Sequence, residues 1–273
     1  MAQTNRNIWA EIERVQAKYN SLNLSEQVDY DKFRLYSIIA NSTAIEGSTL
    51  SELDAQLLFD EGVTKRGTMF EHFMNLDLKR AYEYAVEQAV IKARVTPELL
   101  KRLSALVMQN TGSVMNAPGG TFDASEGEYR LCGVTAGLGG RSYMNYLKVP
   151  QRVEQLCDAL NEQLTDDKSL EGIYNLSFDA HYYLVTIHPW LDGNGRMARL
   201  LMNYIQFYYG VVPTMVNKDS RAEYIESLRV GQEDEDVTPF RDFMAQQHLY
   251  GLRSAIDAYE KSQERGDRLM FLF

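Results

Sequence analysis

Within twelve residues the sequence gathers an imidazole, a carboxylate, two glycines and two guanidinium groups: His188-Pro-Trp-Leu-Asp192-Gly193-Asn194-Gly195-Arg196-Met-Ala-Arg199. The mixture suits a bound anion. Arg196 and Arg199 are three apart, so on a helix they share a face and offer two permanently charged forks to phosphate oxygens. Gly193 and Gly195 permit turns and close backbone approaches that a β-carbon would block. A helix that starts at such a turn aims N–H groups and the positive end of its dipole at whatever sits there. Asp192 is a single carboxylate beside that position, and Mg²⁺ is commonly held by one or two carboxylates together with waters and substrate phosphates. His188 adds an imidazole, the side chain that ordinarily titrates near ~6.5 and serves as a base. An anion cradle, a metal ligand and a base are thus present together. The sequence holds neither Gly-Lys-Ser/Thr nor His-Glu-x-x-His, so it is neither a P-loop nor that type of zinc hydrolase.

The elements that must position this stretch are helices. Ile8, Ile12, Val15 and Tyr19 form one apolar stripe at helical spacing. Thr49-Leu-Ser-Glu52 reads as a capping box for a helix that Gly62 stops, and Thr96-Pro97 reads as an N-cap with proline in the first turn. A long helical run spans 70–93, and further helices are expected over 150–164, 170–187, 196–209, 221–229 and 239–260. The motif therefore reads as helix, loop, helix. Glycines crowd 111–149, where Tyr129–Ala136 followed by Gly-Leu-Gly-Gly reads as a short β-hairpin or flap. The fold class expected is mainly α: a helical bundle with one small β-hairpin flap over the site.

Composition excludes several classes. The chain has 273 residues, 45% hydrophobic and 24% charged, which is an ordinary globular make-up and not a disordered one. With 28 Lys and Arg against 38 Asp and Glu the net charge is −10, which disfavours nucleic acid and anionic membranes. The N-terminal residues lack the apolar core of a secretory signal, and no apolar run approaches the roughly 18–20 residues of a membrane span. Cys132 and Cys157 show no CxxC spacing, which fits a reducing compartment, so a cytoplasmic location is expected. His181, His72 and His248 read as structural, and the apolar ending Leu269–Phe273 either docks on the body or forms a homo-oligomer contact.

The twelve-residue stretch resembles the signature of Fic-domain proteins, His-Pro-Phe-x-(Asp/Glu)-Gly-Asn-Gly-Arg-x-x-Arg, with Trp190 where phenylalanine is usual. The likeness extends through Gly127-Glu-Tyr-Arg130 to Gly140, Tyr143 and Pro150, then Leu200–Asn203, Arg221–Leu228 and Val237–Phe240. It implies a Fic-type helical bundle and transfer of AMP from ATP to a Ser, Thr or Tyr hydroxyl of a protein. His188 would be the general base, and Asp192 would hold Mg²⁺ between the phosphates. Gly193, Asn194 and Gly195 would cradle the α- and β-phosphates with Arg196, while Arg199 would meet the γ-phosphate. Asn203 continues the motif helix among the nucleotide-binding residues, and Tyr224 would line the adenine pocket. The flap at Val134, Thr135, Ala136 and Gly137 would dock a protein substrate by adding its main chain as a strand.

Ser42-Thr-Ala-Ile-Glu46-Gly47 resembles the family's inhibitory pattern (Ser/Thr)-x-x-x-Glu-(Gly/Asn). The resemblance implies that Glu46 pairs with Arg199 and so competes with the γ-phosphate. The expected organisation is an N-terminal helical region over 1–95 that carries an inhibitory helix at about 37–47, a Fic core over 96–250, and a terminal helix end and apolar tail over 251–273. The expected function is an auto-inhibited protein adenylyltransferase. Removal of AMP, transfer of another phosphate-containing group at the same site, and nucleotide sensing without turnover are the alternatives.

Overall fold

A computed structural model describes residues 2–24, 30–136 and 140–264 of the chain. The tail after residue 264, and Gly137 of the flap, lie outside the described residues. The chain divides into two compact units, one of Thr68–Pro213 and one that joins Met1–Gly67 to Thr214–Phe273.

The first-named unit holds α4 (Met69–Val90), α5 (Pro97–Met108), β1 (Val114–Ala117), β2 (Gly120–Asp123), α6 (Val149–Gln163), α7 (Leu170–Ile187) and α8 (Asn194–Tyr208). α8 packs against α7 and α4, α5 against α4, and α6 against α7. Its core is the buried stripe of each helix: Leu78, Ala81 and Ala85 of α4, Leu100 and Leu103 of α5, Phe178 and Leu184 of α7, and Met197, Leu201 and Ile205 of α8. Each large apolar side chain so buried contributes about 1.5–3 kcal/mol. Thr96 caps α5 by accepting the Leu99 N–H, as its position before Pro97 predicts.

The regular hairpin lies at 114–123, within the glycine-rich 111–149 but ahead of the 129–140 segment expected to form it. β1 and β2 pair antiparallel with Ala117 opposite Gly120, closed by Pro118-Gly119, a tight turn that proline and glycine favour. The segment at 129–143 carries a single bridge, Thr135 opposite Ser142, with the Ala136 N–H on Arg141 O and the Tyr143 N–H on Val134 O, both at 3.0 Å. It is a loosely paired loop whose two legs still run side by side.

The other unit holds α1 (Ala2–Ser21), α2 (Tyr30–Ile45), α3 (Glu52–Glu61), α9 (Arg221–Asp234) and α10 (Thr238–Glu264). α10 packs against α1 and α9, and α2 against α3. Ile12, Val15 and Tyr19 of the α1 stripe are buried. The capping box of α3 is Ser51 with Asp54, two residues on from the one expected. Glu52 cannot reach back to Thr49, because Ser37 Oγ donates to its Oε2 at 2.9 Å and Asn41 Nδ2 to its Oε1 at 2.8 Å. Gly62 ends α3 in the left-handed conformation, φ 74°.

Candidate active site

The motif loop is built from its two ends. α7 stops at Ile187 because Pro189 cannot continue it, and His188 takes the left-handed conformation, φ 52° and ψ 64°, with its N–H on Leu184 O at 3.0 Å. A non-glycine residue there costs about 1 kcal/mol and persists only where its surroundings fix it. The imidazole is half-buried, and its Nδ1 lies 3.3 Å from Val185 O. A carbonyl only accepts, so in this contact Nδ1 is the donor. Tyr143 stacks on the ring, centroids 3.7 Å apart and planes 20° apart.

Trp190 fixes the middle of the loop. It is 1% exposed, donates from Nε1 to Gly127 O at 3.0 Å, and packs against Tyr129 at 5.9 Å. Asn194 closes the turn: its Oδ1 accepts the Trp190 N–H at 3.0 Å while its Nδ2 donates to Trp190 O at 2.8 Å. Gly193 begins α8 in the left-handed region, φ 79°, and gives the first turn no side-chain cap. No acidic residue stands in that turn either, so the N-terminal dipole of α8 is uncompensated from within the helix.

Three charges surround this end. Arg196 and Arg199 are 2% and 3% exposed, so two guanidiniums are held largely away from water at one helix start. Asp192 is exposed; its Oδ1 accepts the Gly193 N–H at 2.6 Å and its Oδ2 stands 3.4 Å from Arg196. Arg199 and deep burial affect the neighbouring His181: burial first, then the arginine charge, hold its pKa well below the ordinary histidine value, and it is neutral. Among the described residues no three His, Cys, Asp or Glu side chains gather as a metal cage. A lone, exposed carboxylate is the donor set of a Mg²⁺ that arrives with phosphates, and Asp192 fits that pattern.

Asn203 is buried, its Oδ1 accepting the Tyr82 hydroxyl at 2.8 Å and its Nδ2 donating to Gln206 at 2.8 Å. Of the flap residues, Val134 is half-buried and Thr135 and Ala136 are exposed. Ser42, Glu46, Gly47 and Tyr224 belong to the other unit. α2 ends at Ile45, so Glu46 is the first residue beyond the helix and is exposed, while Ser42 is buried within it. Arg221 Nε caps this end by donating to Ile45 O at 2.7 Å, and Gly47 turns the chain away at φ 105°. Tyr224 is 2% exposed, packed near Phe240 and Phe243 at 6.3 and 6.1 Å.

Three residues of the site were not singled out from the sequence. Met108 lies under Gly193 and touches Arg196 NH2 at 3.3 Å. Asp77, wholly buried, holds the end of α5 by accepting from Asn110 N and Nδ2 at 2.7 and 2.6 Å. Burial raises its pKa, offset in part by Asn110 and by the Arg80 and Arg196 charges. A carboxylate on the apolar stripe of α4, between Met74 and Ala81, marks Asp77 as buried but does not show what it holds. Arg130 is the third, a buried guanidinium beneath the loop.

Residues 94–206 match the Fic/DOC family, so this segment, motif included, is a Fic-family domain. The curated relatives include the protein adenylyltransferase Fic of Drosophila willistoni, 31% identical over 208 residues that cover 76% of this chain and 39% of that protein. The protein of the same name from Drosophila grimshawi is 31% identical, with 76% and 40% covered. The chain thus spans about two fifths of the length of these relatives. In structure it resembles Fic-1 (residues 134–508) of C. elegans, TM-score 0.77 at 24% identity, covering 96% of this chain and 74% of that one. It also resembles a Fic domain containing signaling protein of Bacteroides thetaiotaomicron, TM-score 0.76 at 20% identity, covering 95% and 99%. The fold is the Fic fold.

Proposed function

We propose that this protein transfers AMP from ATP to a Ser, Thr or Tyr hydroxyl of a protein target. The observation that carries the reading is the His188 ring, whose Nδ1 is committed to Val185 O, beside an α8 start that is uncapped and flanked by two buried arginines. The names of the Drosophila relatives support it. In this reading the target hydroxyl gives its proton to His188 Nε2 as its oxygen attacks the α-phosphorus. A bond forms from that oxygen to phosphorus, the bond to the oxygen bridging the β-phosphorus breaks, and pyrophosphate leaves. Such chemistry asks chiefly for positioning and charge stabilisation.

Gly193, Asn194, Gly195 and Arg196 receive the α- and β-phosphates, Arg199 the γ-phosphate, and Asn203 and Tyr224 complete the nucleotide site. Asp192 holds Mg²⁺, which when bound neutralises charge on the phosphates. The legs of the flap at Val134–Gly137 receive the target main chain. Glu46 is the brake that competes for Arg199. A cytoplasmic setting suits the free thiols Cys132 and Cys157.

The test is Glu46→Gly protein incubated with Mg²⁺ and ATP labelled at either the α- or the γ-phosphorus. Label from the α-position on a protein, abolished by His188→Ala, is expected. Label from the γ-position alone overturns adenylyl transfer, and labelling no greater than wild type removes Glu46 as the brake.

A further inference from the structure

Arg130 is fully buried, and each guanidinium nitrogen meets a backbone carbonyl instead of a carboxylate. Nε donates to His188 O at 2.8 Å, NH1 to Cys132 O at 2.7 Å and NH2 to Met144 O at 2.7 Å. Its own backbone N–H donates to Pro189 O at 3.0 Å. The three carbonyls belong to different stretches: Cys132 on the leg that rises into the flap, Met144 on the leg that returns, and His188 at the start of the catalytic loop. Between the legs, Tyr143 N–H meets Val134 O at 3.0 Å, and the Tyr143 ring lies on the imidazole of His188. One rigid, planar fork therefore sets the distance between the flap and the base.

The grip falls where His188 needs it. Its left-handed backbone is the conformation that keeps Nδ1 at Val185 O, and the Arg130 Nε bond fixes the carbonyl of that same residue. Loss of that bond would free the carbonyl of the residue whose ring contact with Val185 O selects its tautomer.

We infer that Arg130 is a positioning residue that locks His188 in one tautomer and holds both flap legs in register with it. The inference rests on the proposed role of His188 as general base. Arg130 touches neither the α8 start nor Arg196 and Arg199 in any hydrogen bond described above, so its loss should act on chemistry and target docking and spare nucleotide affinity.

The experiment uses full-length Glu46→Gly protein carrying Arg130→Gln or Arg130→Lys, with three readouts: AMP transfer from α-labelled ATP, ATP affinity by calorimetry, and ¹⁵N spectra of the histidine rings, with His188 assigned by His188→Ala. With Arg130 intact, the His188 ring should show one fixed neutral tautomer. In R130Q the two ring nitrogens should average, kcat should fall roughly 10–100-fold, KM for the protein target should rise, and ATP affinity should stay within about twofold. An unchanged ring spectrum, or unchanged transfer, overturns the inference. If R130Q does not fold, R130K decides: one ammonium lacks the three-way fork that reaches the carbonyls of Cys132, Met144 and His188, so a folded R130K with native ring spectrum and native transfer overturns it equally. If Glu46→Gly with Arg130 intact transfers no label, the adenylyltransferase reading has failed, and the ring spectra alone decide the Arg130 inference.

Discussion

A β-carbon added to Gly193 would stand 2.8 Å from Met108 Sδ and 3.3 Å from its Cγ. The turn that opens α8 therefore needs glycine twice, for its φ of 79° and for the sulfur beneath it. Gly193→Ala should destabilise the protein by about 1–3 kcal/mol in urea unfolding. In a Met108→Ala background the penalty should shrink but not vanish, because the backbone strain remains. Equal penalties in both backgrounds would mean that the sulfur imposes no constraint.

The stack between Tyr143 and His188 predicts a graded series. Tyr143→Phe keeps the ring and should retain transfer, whereas Tyr143→Ala removes a contact worth about 0.5–1.5 kcal/mol and should slow transfer by roughly 2–12-fold. Tyr143→Ala transfer as fast as that of Tyr143→Phe, measured with α-labelled ATP, would show that the ring face does not matter.

Buried histidines set an acid limit. His248, with Nδ1 3.1 Å from Thr214 Oγ1, is pushed down to about 3 by burial and by the Arg34 charge, and His181 is lowered likewise. Both folded values lie below the unfolded value near ~6.5, so the unfolded chain binds more protons in acid. Their stabilising contribution is complete above about pH 6.5 and is lost as pH falls below it, for His248 down to about 3 at up to ~1.4 kcal/mol per pH unit, with His181 adding in the same direction. Thermal unfolding between pH 7 and pH 5 should show this slope, and His248→Asn should flatten it.

Thiol chemistry should separate the two cysteines. Burial pushes the Cys157 thiol up to about 12, aided by the Asp158 and Glu98 charges, so it stays protonated and enclosed in the folded protein. Cys132 is half-buried. An aromatic disulfide reagent at pH 8 should leave Cys157 untouched until denaturant is added; labelling of Cys157 in the native protein, read by peptide mass, would count against its enclosure.

Helix identity was legible wherever one apolar stripe met one cap. Leu170–Ile187 and the Thr96 cap emerged from spacing and residue type alone, because each depends on neighbours within a turn. The capping box at Ser51 was misplaced because the carboxylate that decides it, Glu52, is drawn to Ser37 and Asn41 of another helix. Tyr129–Ala136 with the following glycines reads as a hairpin, whereas the regular strands flank Pro118-Gly119 and 129–143 carries only the bridge of Thr135 with Ser142. In the site, the loop residues were legible since they are contiguous, and the parts that hold them were not. Arg130 lies 58 positions from His188 and Asp77 33 from Asn110, separations that no local pattern encodes.

The end of α2 has a consequence for the order in which the protein is made. Its last carbonyl, on Ile45, is satisfied by Arg221, 176 positions later, and Asn41 by the Lys218 N–H, 177 positions later. On the ribosome, the whole of 68–213, His188 and the start of α8 included, emerges before those partners do. The end of α2 that bears Glu46 thus gains these anchors only after 68–213 has emerged, and on the brake proposed above restraint would be added last.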